Sequence, residues 1–312
     1  MGPVRPAFTV ARPLDDVTGT TRRDSVITPR NGVPAMAVAG HYDALDRYYR
    51  EIWGEHVHHG LWERRSDPPD LAAQRLARHV ADLAGVRPGA VARVADAGCG
   101  YGATARLLAR ERGARVAGLT LSSAQAAHAR QLGGDGVEIR VGDWQENDLP
   151  DAAFDAVVAI ESISHMPDPG RAFAQAARVL RPGGRLVICD WLARERRSAW
   201  RDDHLLEPIC REGRLPAMRT AAEYGELLAA AGLLVTSFAD ESRRVSRTWP
   251  ICLRRTAARI ARDPEARAFL LSAENPDRIF ALTMVRILAA YGTRAMVYGI
   301  FGAVRPDRAP GD

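Results

Sequence analysis

Short apolar runs alternate with stretches of helical period through the middle of this 312-residue chain. Residues 91–97, 115–120, 137–142, 154–161 and 185–191 read as strands, each bounded by turn-forming residues. Between them, 104–112, 123–132 and 170–180 repeat apolar positions at helical spacing. Such alternation predicts a parallel sheet with helices on both faces. Beyond Trp191 the pattern turns mostly helical, at 203–211, 221–231, 251–262, 265–271 and 279–290. Two further strands fall at 233–239 and 295–304.

Upstream, 41–53 predicts a short helix with aromatic positions on one face. A clearer amphipathic helix follows at 70–86, with Leu71, Leu76, Val80 and Leu83 on its apolar side. Asp70, after Pro68 and Pro69, is its expected N-cap. Residues 1–38, rich in Pro, Arg, Thr and Gly, predict a disordered or loosely docked leader.

Composition adds little to this picture. At 46% hydrophobic and 26% charged the chain reads as an ordinary soluble protein. No apolar run approaches the roughly 20 residues that span a bilayer, and Arg5, Arg12, Asp15 and Asp16 interrupt any signal-peptide core. Cys99, Cys189, Cys210 and Cys252 lie far apart, as reduced thiols of a cytoplasmic protein would. The net charge of +5 comes entirely from arginine, since the chain has no lysine, and acidic residues are interleaved with it. Uniform arginine usage of this kind reads as coding bias, and no nucleic-acid partner is expected.

Candidate chemistry begins at "DAGCGYG", where Gly98, Gly100 and Gly102 follow the first strand. In a doubly wound sheet, ligands bind beyond the carboxyl ends of strands. The spacing is not the dinucleotide G-x-G-x-x-G, the next strand ends in Thr120 instead of an acid, and no Walker A Gly-Lys pair exists. An adenosyl ligand without pyrophosphate fits what remains, with Asp96 facing a positive charge. Asp96 capping a helix and the glycines merely turning the chain is the alternative. Asp143 and Trp144, ending the third strand, suit adenine: the carboxylate accepts from its amine and the indole stacks on its face.

Together with "GDW", "FDAVVAIESISHMPD" and "VLRPGGRL", the glycine turn clearly resembles the class I S-adenosylmethionine-dependent methyltransferases. The resemblance implies a Rossmann-like α/β sheet with helices on both faces and a helical substrate cap. Thr120 and Gln125 stand where most members carry a ribose-binding acid, a variation similar to the gamma-tocopherol, sterol C-methyltransferase and cyclopropane-synthase subgroup. It implies cofactor contacts from Asp96, Gly98, Gly100, Thr120, Leu121, Gln125, Asp143 and Trp144. It covers roughly residues 40–306 and implies a cofactor-covering role for "YDALDRYYREIWGEHVHHG". The expected division is a lid at 39–90, a cofactor core at 91–192, cap helices and a sixth strand at 193–294, a last strand at 295–306 and a tail at 307–312.

Methyl transfer needs alignment of donor and acceptor, and a base only where the acceptor loses a proton. Glu161, after a strongly apolar run, and His165 are the catalytic candidates: Glu161 to face a cation or take a proton, or else to order the aromatic lid, and His165 as base. His56, His58 and His59 lack partners at metal-binding spacing, and no metal site is expected. Tyr42, Tyr49, Trp53, Trp191 and Trp249, with Phe238 and Ile251, are candidate walls for the substrate. Arg243, Arg244 and Arg247 suggest an anion clamp. The expected activity is therefore C-methylation of an isoprenoid, with a prenyl diphosphate as the form those arginines would suit; Mg²⁺ enters only if the acceptor is a diphosphate. The alternative is N-, O- or C-methylation of a neutral aromatic or alkaloid intermediate. A small-molecule substrate is the expected partner, with room for a homodimer.

Overall fold

The computed structural model describes residues 26–30, 40, 42, 43, 45–271 and 280–307. Seven strands form one sheet in the order β3-β2-β1-β4-β5-β7-β6. They are β1 Arg93–Ala97, β2 Arg115–Thr120, β3 Val137–Val141, β4 Phe154–Ile160, β5 Leu180–Ala193, β6 Leu234–Asp240 and β7 Met296–Val304. The first five are mutually parallel, and β7 runs antiparallel to both β5 and β6. Central strands are buried on both faces, which is why β4 reads as the unbroken run Ala156–Ile160. The chain order reverses between β1 and β4, so a crevice opens beyond their carboxyl ends.

Helices Pro69–Leu83, Ala103–Arg112 and Ser123–Leu132 cover one face through Leu76, Val80, Leu108 and Ala126. Helices Pro169–Val179 and Ala221–Ala230 cover the other, with Phe173 edge-on to Tyr224 at 5.4 Å. A third apolar cluster forms the cap, joining helix Asp46–Trp53 to helices Glu207–Glu212, Thr248–Arg262 and Phe280–Gly292.

Several expectations are corrected locally. Pro68, not Asp70, occupies the cap position of the Pro69–Leu83 helix, and no side chain caps it. Leu71 is exposed there, because the buried stripe runs through Ala72, Ala73, Leu76, Ala77 and Val80. The helix expected at 203–211 is a π-turn over Asp202–Leu206 leading into Glu207–Glu212. Pro208 has no N–H to donate, which loosens the regular ladder at that junction. Within the expected leader, residues 26–30 are docked: Ile27 is buried and exchanges two backbone hydrogen bonds with Met218. The rest of the leader and residues 308–312 of the tail lie outside the described residues. Among the described residues no helix is long and apolar enough to cross a membrane.

Candidate active site

A cleft of about 710 Å³, open to solvent, lies over the carboxyl ends of β1, β2 and β4. Its walls include Gly98, Gly100, Thr120, Leu121, Gln125, Asp143 and Trp144, seven of the residues expected to hold a cofactor. Gly98 has φ +79, and a Cβ there would lie 2.4 Å from the Ser162 Cβ, so both backbone shape and space demand glycine. The Thr120 hydroxyl donates to the Gln125 side-chain oxygen at 2.9 Å, which aligns the amide beside the glycine turn. Asp143 caps the following turn by accepting from the Gln145 N–H at 2.8 Å. Trp144 reaches the cleft from the core, its indole N–H donating to the Ala172 carbonyl at 3.0 Å.

Asp96 lies in an adjoining recess of about 360 Å³ that shares Gly98 and Gly100 with the cleft. One of its carboxylate oxygens is buried without a hydrogen-bond partner among the described residues. Burial raises its pKa to about 7. An orphaned buried carboxylate is costly unless a cation meets it. The ammonium of S-adenosylmethionine supplies such a cation, so the residues present fit that cofactor. The same recess is walled by His56 and His58, whose rings are 3.1 Å apart at Nδ1 and Nε2. Burial, then the neighbouring His58, lowers His56 to about 3.

Two clasps hold the N-terminal segment across this cleft. The Ser122 hydroxyl donates to Asp43 at 2.5 Å. The Tyr101 hydroxyl donates to the Asp46 carboxylate at 2.7 Å.

A second cavity of about 650 Å³ adjoins the first, and Tyr42, Val57, Glu161 and His165 line both. Its other walls include Tyr49, Trp53, Trp191 and Trp249, as expected from sequence, together with Met284 and Ile287, which the sequence did not single out. The rings form a continuous surface: Tyr42 to Tyr49 at 5.2 Å, Tyr49 to Trp53 at 5.4 Å, Trp53 to Trp249 at 5.8 Å and Trp249 to Trp191 at 5.5 Å.

Glu161 sits between the cavities with φ +54, an uncommon conformation for a side-chain-bearing residue. Four donors converge on its carboxylate. Oε1 accepts from the His59 backbone N–H at 2.7 Å, His59 Nδ1 at 2.9 Å and the Tyr298 hydroxyl at 2.8 Å; Oε2 accepts from the Trp191 indole at 3.1 Å. Burial alone would raise this carboxyl, but the contacts with His59 outweigh it and hold the group well below the usual range.

His165 Nδ1 lies 3.4 Å from the Arg214 carbonyl, which can only accept. The ring proton therefore belongs on Nδ1, leaving the Nε2 lone pair to the Tyr42 hydroxyl at 3.2 Å. Burial, then Glu161 and Asp190, raises the Tyr42 phenol well above its ordinary value, so it stays a donor.

Three expectations do not fit this layout. Arg243, Arg244 and Arg247 line neither cavity but a separate groove, behind the wall of His59, Trp249 and Tyr291. Phe238 packs on Phe301 in the core at 4.7 Å, and Ile251 faces a small pocket elsewhere. The arginines were placed near substrate by their position in sequence, yet the helix they introduce turns its other side to the cavity. The partnership of Glu161 with His59 was also not legible, because 102 residues separate the two.

The family profile described as "Methyltransferase domain" matches residues 95–188. The chain is 30% identical over 290 residues to the chloroplastic tocopherol O-methyltransferase of Arabidopsis thaliana, covering 86% of this chain and 82% of that one. It is 35% identical over 214 residues to the 27-O-demethylrifamycin SV methyltransferase of Amycolatopsis mediterranei, covering 67% and 77%. Among solved structures, the [4+2]-cyclase SpnF superposes with a TM-score of 0.70 at 27% identity, covering 89% of this chain and 99% of that one. The chain is thus an S-adenosylmethionine-dependent small-molecule methyltransferase of class I, and it belongs to the subgroup that contains the tocopherol and sterol C-methyltransferases.

Proposed function

We propose that this enzyme methylates a hydroxyl group on a neutral, largely apolar molecule. The observation that carries this reading is the position of His165 Nε2 on the wall common to the cofactor cleft and a cavity of aromatic faces. S-adenosylmethionine supplies an activated methyl group. Asp96 would hold its ammonium, Gln125 and Thr120 its ribose, and Asp143 with Leu121 and Trp144 its adenine. Tyr49, Trp53, Trp191 and Trp249 would enclose the acceptor and exclude water, so that alignment supplies much of the rate. His165 Nε2 would take the acceptor's proton as its oxygen is methylated, once the acceptor's hydroxyl has displaced that of Tyr42 from this nitrogen. Glu161 would orient His59 and the aromatic wall, with its oxygens already engaged. The relatives named for tocopherol and for 27-O-demethylrifamycin SV carry names consistent with acceptors of this kind.

A second reading is C-methylation of an isoprenoid double bond. The continuous ring faces favour it, because aromatic surfaces stabilise a developing cation. A diphosphate head on that acceptor loses its support, since the three arginines lie outside the cavity.

The test is transfer from labelled S-adenosylmethionine to a panel of phenols, macrocyclic alcohols and prenyl compounds, with the methylated atom located by NMR. Oxygen-linked methyl on neutral acceptors, indifferent to Mg²⁺, is the expected result. Carbon-linked methyl on an alkene would replace the first reading by the second.

A further inference from the structure

The groove that receives Arg243, Arg244 and Arg247 is open and large, about 1900 Å³. Arginines outnumber carboxylates on its walls seven to two. Two of the seven are engaged, Arg194 with Asp240 at 3.1 Å and Arg244 with Glu241 at 3.1 Å. The other five, Arg64, Arg65, Arg243, Arg247 and Arg294, stand in no ion pair among the described residues. Arginines without an ion pair also occur elsewhere among the described residues, Arg87, Arg115 and Arg262 for example, so the missing counter-charges alone mark nothing. The gathering does: the cofactor cleft, the acceptor cavity and the Asp96 recess have no arginine on their walls, and the small pocket at Ile251 has one. Coding bias accounts for abundance of arginine; it does not account for seven in one concavity.

Like charges in one groove repel, and the fold holds them there all the same. Arg247 is fixed with its guanidinium 5.3 Å above the Trp62 ring and one nitrogen donating to the Arg65 carbonyl. Beneath the rim, Trp62, Pro250, Leu288 and Met296 provide an apolar floor. Guanidinium groups bind phosphate oxygens in pairs of parallel bonds, and several of them around one space suit closely spaced phosphates.

We infer that this groove is a binding site for a polyphosphate ester, with the phosphates on the arginine rim and the organic part on the floor. It is distinct from the methyl-transfer cavities, because none of its wall residues lines either of them. The inference does not depend on which acceptor the enzyme methylates.

Titration calorimetry with inorganic pyrophosphate, on the full chain at about 150 mM salt where loose surface attraction is screened, tests this directly. One saturable site is expected, with unchanged affinity when S-adenosylhomocysteine is present. Arg243→Ser combined with Arg294→Ser should weaken binding by about tenfold or more, the loss of one or two charge-assisted contacts, with S-adenosylhomocysteine affinity as the control for folding. Should that pair fail to fold, exposed Arg65→Ser replaces it, with weaker pyrophosphate binding again expected. Non-saturating heat, equal affinity in the variants, or competition by S-adenosylhomocysteine would each overturn the site.

Discussion

The indole N–H of Trp249 donates to His59 Nε2 at 2.6 Å. Indole nitrogen has no lone pair to offer, so Nε2 must be the unprotonated nitrogen and His59 is neutral. Its one ring proton then sits on Nδ1 and points at Glu161, 2.9 Å away. The Glu161 carboxylate, which can only accept, requires the same tautomer, so a residue on the Thr248–Arg262 helix and one following β4 fix a lid histidine between them.

Trp249→Phe keeps the ring and removes this donor. Stability should fall by about 1–3 kcal/mol, the cost of leaving a buried acceptor short of a partner. Denaturant unfolding measures the loss, and nitrogen NMR should still find the proton on His59 Nδ1, held there by the Glu161 carboxylate. Unchanged stability in the variant would mean that the Tyr291 hydroxyl, 3.2 Å from Nε2, suffices as its donor.

Glu161→Gln separates an orienting carboxylate from a catalytic base. An amide can accept at one end only, and its NH₂ would face one of the donors now satisfied. Folding stability should drop on the order of 3 kcal/mol. A variant that keeps wild-type stability yet transfers no methyl would instead give Glu161 the proton-transfer role.

His165→Gln should lower kcat by about 10²–10⁴, the usual worth of a positioned base. Affinity for S-adenosylhomocysteine should hold, because the cofactor residues are untouched. A variant that keeps the wild-type kcat would place the base elsewhere.

If Asp96 meets the cofactor's ammonium as proposed, cofactor binding should depend on pH. Its folded pKa is raised to about 7 from an ordinary 3.8. The cofactor-free protein therefore binds a proton more tightly than its unfolded chain does, and this contribution to stability fades as pH rises from about 4 through 7. Binding runs the other way, since the ammonium needs the ionised carboxylate. Calorimetric affinity for S-adenosylmethionine should strengthen from pH 6 to 8, and Asp96→Asn should flatten that rise. A wild-type affinity independent of pH would show that Asp96 is ionised before the cofactor arrives.

Local periodicity and turn chemistry made the sheet legible: the run ending at Ile160 and the glycines at 98 and 100 each carry their own signal. The residues proposed for the cofactor follow because they sit at strand ends, where neighbours in space are set by topology. Glu161 shows where this stops. Its position was legible, but its state is decided by His59, Trp191 and Tyr298, which tertiary packing brings from three other segments. The Arg243–Arg247 cluster shows the same limit, because a helical segment near the substrate in sequence has two sides and only packing chooses between them.

The clasps from Asp43 to Ser122 and from Asp46 to Tyr101 also tie two cavities to one strap. Tyr42, in the strap they pin, lines both the cofactor cleft and the acceptor cavity, and Tyr49 and Trp53 of the same strap line the second. A change that loosens either clasp therefore disturbs donor and acceptor sites together, although neither Asp43 nor Asp46 lines a cavity itself.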